Sequence, residues 1–148
     1  LHMKNFVFAL LPALVLLGMS SCMSDSCSFE GKWLVKNADL QSATMDSSIL
    51  NMAEQEYMGM SYEFAKDTVK INSLTNTMTG SWQFDDSKQE ITWTATAPDG
   101  QEMKETNFVE SCTPIEITLS QRLPNDTTKK ELARIILTLQ KEEGNKGK

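Results

Sequence analysis

The stretch FEGKWLV, Phe29 to Val35, has a Gly-x-Trp core that returns in MTGSWQF, Met78 to Phe84. In an extended strand residues i and i+2 face the same side, so Gly31 shares a face with Trp33, and Gly80 with Trp82. A glycine beside an inward indole leaves a gap that the ring or a crossing strand fills, and it lets the strand bend sharply, as a barrel corner requires. Two of the seven glycines and two of the three tryptophans stand in this spacing, which reads as a packing device of a curved sheet.

Outward from these two stretches, apolar residues alternate at period two in short runs. They predict strands at residues 31–36, 60–66, 68–72, 78–84, 90–97, 101–109, 114–121 and 132–140. The connections carry turn residues, DDSK at 85–88, PDG at 98–100 and LPNDTT at 123–128, and such short loops favour an antiparallel meander. Strands with one apolar face bury it as a sandwich or by closing on themselves, and closure also removes the sheet edges. The expected fold is therefore all-β, an eight-stranded antiparallel barrel. One segment breaks the alternation: MDSSILNMAEQEYMG, Met45 to Gly59, spaces Ile49, Met52, Ala53 and Tyr57 as one helical face. Asp46 or Ser47 can cap its start and Gly59 stands at its end, so one short helix is predicted after the first strand, packed on the sheet as a plug or lid. Met45, Met52, Met58 and Met60 gather in this region and are expected to fill the core.

The ends read differently. Lys4 followed by the apolar run from Phe6 to Leu17 has the make-up of an export signal, too short for the ~20 apolar residues that span a bilayer. Residues 1–21 are assigned to that signal, with Leu1-His2 as an upstream remainder. Residues 18–22, GMSSC, resemble the lipobox of bacterial lipoproteins, with Ser20 and Ser21 before Cys22 and Met19 where leucine is usual. The resemblance implies cleavage before Cys22 and lipid attachment to it, making an outer-membrane lipoprotein of the cell envelope, periplasmic or surface-exposed. Its membrane contact would be acyl chains, at about 0.8 kcal/mol per buried methylene. An ordinary secretory signal is the alternative, and it too implies export. Residues 22–28 then form a lipidated linker, 29–141 the barrel domain, and 142–148 a charged, disordered tail.

Removing residues 1–21 takes away Lys4 and the one histidine, leaving 13 basic side chains against 20 acidic ones, a formal net charge of −7. The acidity is spread along the chain, and nucleic-acid binding, which needs basic stripes, is excluded. Without a histidine the exported chain has no Ser-His-Asp or Cys-His arrangement, no histidine base and no ordinary zinc site. Paired acids such as Asp85-Asp86 and Glu142-Glu143 fall in a turn and in the tail, where charges are ordinarily just solvated. No catalytic residue, metal or cofactor is expected. Lipidation of Cys22 would leave Cys27 and Cys112, and in an oxidising envelope that pair is expected to form a disulfide, with a reactive free thiol as the alternative.

FEGKW resembles the first strand of the calycins, the lipocalin and fatty-acid-binding barrels. The succession of signal, lipobox cysteine, Gly-x-Trp strand, helix, YEFAKDTVKI, TGSWQFDDSKQEITW and a late IEITL is similar to the small lipocalin-like lipoproteins of Bacteroidetes envelopes. That resemblance covers nearly all of the chain after Cys22. Lipocalins usually set an arginine of the last strand across the tryptophan of the first, which implies Arg134, in ELARIILTL, over Trp33, a cation–π contact of about 0.5–2 kcal/mol. Trp33, Tyr62, Phe64, Trp82, Phe84 and Trp93 share inward parity and either line a ligand pocket or fill the core, with Gly31, Gly80 and Arg134 structural. The expected function is non-catalytic binding of a small hydrophobic ligand by a membrane-anchored barrel. The alternative is a lipid-anchored module for contact with an envelope protein, an inhibitor or assembly accessory, with a solid core and its function on loops 37–44, 73–77 and 123–130.

Overall fold

The computed structural model describes residues 27–124 and 131–144; the expected export signal, Cys22, and residues 125–130 and 145–148 lie outside the described residues. Eight strands run β1 (Gly31–Gln41), β2 (Ser61–Phe64), β3 (Thr68–Asn72), β4 (Thr77–Asp85), β5 (Glu90–Thr96), β6 (Glu102–Cys112), β7 (Glu116–Pro124) and β8 (Glu131–Lys141), with helix α1 (Ser47–Met58) between β1 and β2. Each strand pairs with the next, and β8 returns antiparallel to β1, closing an up-and-down barrel. The expected fold class is thus the observed one.

Alternation along the strands sets the core. Trp33, Val35, Tyr62, Phe64, Val69, Ile71, Ile91, Trp93, Ile117, Leu119, Leu137 and Leu139 point inward and are buried, with the intervening residues more exposed. Two bulges alter this parity. Between Val35 and Asn37 the β1–β8 register shifts by the extra residue Lys36, so that burial passes from Trp33 and Val35 to Ala38 and Leu40. A second shift falls between Val109 and Ser111 in β6. The first bulge lets β1 continue through residues 37–41, a segment the sequence assigned to a loop; the polar Asn37, Asp39 and Gln41 belong to the outer face of a strand rather than to a turn.

The β2 strand reaches only from Gly31 to Leu34 along β1. Beyond that point α1 takes its place: the Val35 N–H donates to the Met60 carbonyl at 3.2 Å, and the Leu40 N–H to the Glu54 carboxylate at 3.0 Å. Asp46 caps the helix, accepting from the Ser48 N–H at 2.8 Å, and the hydrogen bonds to Ser48 hold its carboxyl below the usual carboxylate range. Leu50, Ala53 and Tyr57 pack against the core. The predicted apolar face was different. Ile49 is half exposed and Met52 is 69% exposed, so only Ala53 and Tyr57 of that face turn to the barrel. Met58 is exposed as well, whereas Met60 joins the core. Core filling therefore describes Met60 and not Met52 or Met58, because α1 lies on the wall with one narrow strip turned inward.

Cys27 and Cys112 form a disulfide with a Cα–Cα separation of 5.6 Å, binding the segment before β1 to the end of β6. This segment carries Phe29 across one end of the barrel, the floor, where the Trp33 indole N–H donates to the Phe29 carbonyl at 2.7 Å.

Candidate functional site

The six aromatic residues singled out by parity come together, and most of them make the floor solid. Tyr62 stands opposite Trp33 across β1–β2, and Trp82 opposite Trp93 across β4–β5. Phe64 lies between Trp82 and Trp93, with ring centroids 5.2 and 6.1 Å away, and Tyr62 lies 5.3 Å from Trp93. Phe29, a residue to which sequence reasoning gave no role, packs at 5.8 Å from Trp82 and 4.8 Å from Phe84. Such offset and edge-on rings add about 0.5–1.5 kcal/mol per pair beyond burial. The Trp82 indole is satisfied by the Ala65 carbonyl at 2.7 Å. The signal that could have found Phe29 is its place two residues after a bonded cysteine and two before Gly31, an apolar residue where a chain crosses the barrel end.

The other end is the mouth, surrounded by the β3–β4 and β5–β6 connections. Three of its inner positions keep contact with solvent. Met78 stands opposite Ile71, Met103 opposite Ala95 and Leu123 opposite Ala133, so all three share the inner face, and all three are half-buried. Tyr57 of α1 closes one side of this region in the same half-buried state.

Between floor and mouth, the inner face of β6 carries two polar residues. Glu105 stands opposite Trp93, and Asn107, 2% exposed, stands opposite Ile91. Asn107 Nδ2 and Trp93 Nε1 are both buried without a hydrogen-bond partner. The Trp93 N–H faces the Glu105 carboxyl closely enough to favour its charged form, yet it completes no hydrogen bond of standard geometry. Burial outweighs that attraction and raises the Glu105 carboxyl above the usual carboxylate range. The same enclosure acts on the two phenols beside it. Burial, then the charge of Glu105, pushes Tyr57 up to about 12 and Tyr62 well above its ordinary value. Neither phenol can serve as a base near neutral pH. Sequence reasoning missed Glu105 and Asn107 because polar residues in a strand are ordinarily read as its outer face; their shared parity with Val109 was the available signal.

The raised carboxyl has a consequence for stability. Between the ordinary and the raised value the folded state binds more protons than the unfolded one, so Glu105 favours folding fully at low pH and loses that contribution as pH rises through the raised value. Tyr57, Tyr62 and Trp93 are the groups facing it, and none changes charge in that range. Glu105→Gln is expected to gain thermal stability relative to the natural protein at pH 7, and to gain less at pH 4. Equal differences at the two pH values in paired melting curves would contradict this.

The outer wall holds the chain's two arginines. Arg134 was expected across Trp33, but the register places it opposite Gln41 and Arg122, and the cation over the Trp33 ring is Lys141, with Nζ 5.2 Å from the centroid. The direction of β8 explains this. It enters at the mouth and leaves at the floor, so its last residue, not an early one, meets Trp33; and the inward run Ala133, Ile135, Leu137, Leu139 turns Arg134 outward. There Arg134 pairs with Glu110 at 3.4 Å, and Glu110 also accepts from the Ser120 hydroxyl. A cleft of about 410 Å³ beside them is lined by Gln89, Phe108, Val109, Glu110, Ser120, Arg122 and Arg134. Among the described residues, no three His, Cys, Asp or Glu side chains stand close enough together to hold a metal ion.

A closed eight-stranded antiparallel barrel with one short helix after its first strand is consistent with a lipocalin-like fold. In comparison with known proteins, the chain matches no family model, no curated protein and no solved structure.

Proposed function

We propose that this protein is a non-catalytic, lipid-anchored envelope protein of the Bacteroidetes lipoprotein kind, whose barrel binds a small hydrophobic ligand through its mouth. The observation that carries the reading is a set of apolar inner side chains at the mouth, Met78, Met103 and Leu123, that keep contact with solvent although their cross-strand partners Ile71, Ala95 and Ala133 are buried. Binding pockets combine such an apolar lining with a few polar groups, here Glu105, Asn107 and the Trp93 indole. Apart from the Trp93 indole N–H, the floor aromatics belong to the core in this reading, and the ligand reaches from the mouth down to Trp93. Export and acylation at Cys22 are supported by the GMSSC motif and the apolar run before it.

The test is titration of the purified barrel domain with N-phenyl-1-naphthylamine, a neutral dye that fluoresces in apolar surroundings. Saturable binding with one dye per barrel, lost on filling the mouth with Met103→Trp, is the expected result. A dye that finds no saturable site would remove the ligand reading. Function would then move to the outer surface, where Ile49, Met52 and Leu74 are exposed beside one another's elements, and to the alternative of contact with an envelope protein.

A further inference from the structure

We propose that the Trp93 indole N–H, the Asn107 amide and the Glu105 carboxyl form a head-group site for a neutral amide carried on an apolar tail. This inference rests on the ligand reading above and specifies its chemistry. The three side chains occupy one inner patch: Trp93 and Glu105 are cross-strand partners, and Asn107 follows Glu105 on the same face of β6. Trp93 is 1% exposed and Asn107 is comparably buried, yet one donor of each has no partner. A buried unsatisfied donor costs about 1–3 kcal/mol, so the patch is complementary to a group that brings an acceptor. The half-buried carboxylate beside them sets the second requirement. It repels an anionic head and accepts from an N–H or O–H.

These demands separate the common amphiphile heads. A carboxylate would satisfy the two donors but bring a second negative charge next to Glu105 in a site of reduced dielectric. An alkylammonium would pair with Glu105 but leave the Trp93 and Asn107 donors unsatisfied, having no acceptor. A primary or secondary amide offers a carbonyl to the donors and an N–H to the carboxylate, with no charge to desolvate. On the mouth side of the patch, the inner positions Met78, Met103 and Leu123 offer apolar surface for the tail. Methionine side chains adapt to irregular shapes, which suits an alkyl chain of variable form.

The experiment uses decanamide, decanoate and decylamine, each displacing N-phenyl-1-naphthylamine from the barrel at pH 7, together with the indole N–H resonance of Trp93. Decanamide is expected to compete at about tenfold lower concentration than either charged analogue, as one or two added hydrogen bonds predict. It should also shift the Trp93 indole resonance more than those of Trp33 and Trp82, which are already bonded to Phe29 and Ala65. Asn107→Leu, close in volume but without the donor, should bring decanamide to within a fewfold of decanoate. If the dye binds and the three amphiphiles compete equally, ordered water serves the two donors and the head-group site is wrong while the ligand reading stands. Preference for decylamine would likewise overturn it, leaving Glu105 as the lone determinant. If neither dye nor decanamide binds by either readout, the ligand reading itself fails.

Discussion

Gly80→Ala is expected to cost the barrel about 3 kcal/mol or more, a large share of the roughly 5–15 kcal/mol that spans the stability of a domain. A Cβ at this position would lie 1.8 Å from the Thr94 carbonyl oxygen and 2.7 Å from the Ala95 Cα. Both obstacles are backbone of β5, the strand paired to Gly80 through Ala95, so no side chain can swing aside to relieve the overlap. Ala95 is itself 0% exposed, and the strands on both sides are closed into the barrel, so separating β4 from β5 would disturb the whole ring. Urea unfolding of the variant and the natural protein measures the loss. A change below 1 kcal/mol would mean that β4 and β5 approach less closely than described.

Replacing both Cys27 and Cys112 by alanine is expected to cost about 4.5 kcal/mol, the loop-closure value for a crosslink spanning 85 residues. For a domain of this size that is a fall in melting temperature of roughly 15 °C. The effect should exceed ordinary crosslink loss in one respect, because the bonded segment holds Phe29 over the floor. With the segment released, the Trp33 N–H also loses the Phe29 carbonyl, and the Trp82 and Phe84 rings lose their neighbour. Tryptophan fluorescence should therefore shift to the red in the folded variant before any unfolding begins. An unchanged emission maximum with a lowered melting temperature would assign the disulfide a purely entropic role.

The two Gly-x-Trp motifs show what the sequence could and could not convey. Their shared spacing marked two strands of one curved sheet, and both strands are there. The glycines, however, act differently. Gly80 is fixed by contact with the β5 backbone, whereas Gly31 has φ +123°, a conformation that disfavours any other residue, and its neighbour is the flexible end of Lys141. Spacing records which face a residue occupies and is silent about what approaches that face. Arg134 illustrates the same limit. Its type suited a cation over Trp33, but parity and strand direction, which only the closed register fixes, gave that place to Lys141.

The helix and the polar patch were illegible for other physical reasons. MDSSILNMAEQEYMG carries apolar residues on two faces, Ile49 and Met52 on one, Leu50, Ala53 and Tyr57 on the other, and periodicity alone does not say which one the barrel takes. In β1 the bulge at Lys36 exchanges odd for even burial, so NADLQ reads as a polar loop unless the extra residue is recognised. Glu105 and Asn107 lie inside because Val109, two positions further on, is buried against Leu119, and the alternation carries them inward with it.

The exchange of a strand for a helix beside β1 has a consequence for behaviour in crowded solution. From Val35 to Gln41 the face of β1 turned away from β8 is an open sheet edge, bonded in that stretch to Met60 and to the side chain of Glu54. No residue of α1 is fully buried, and in this stretch the seam is closed by side-chain packing and these two hydrogen bonds rather than by a strand ladder. An edge uncovered by loss of the helix would be a template for another chain's strand. The helix thereby occupies an edge on which a strand of a second molecule could otherwise add, a cover as much as a piece of the wall.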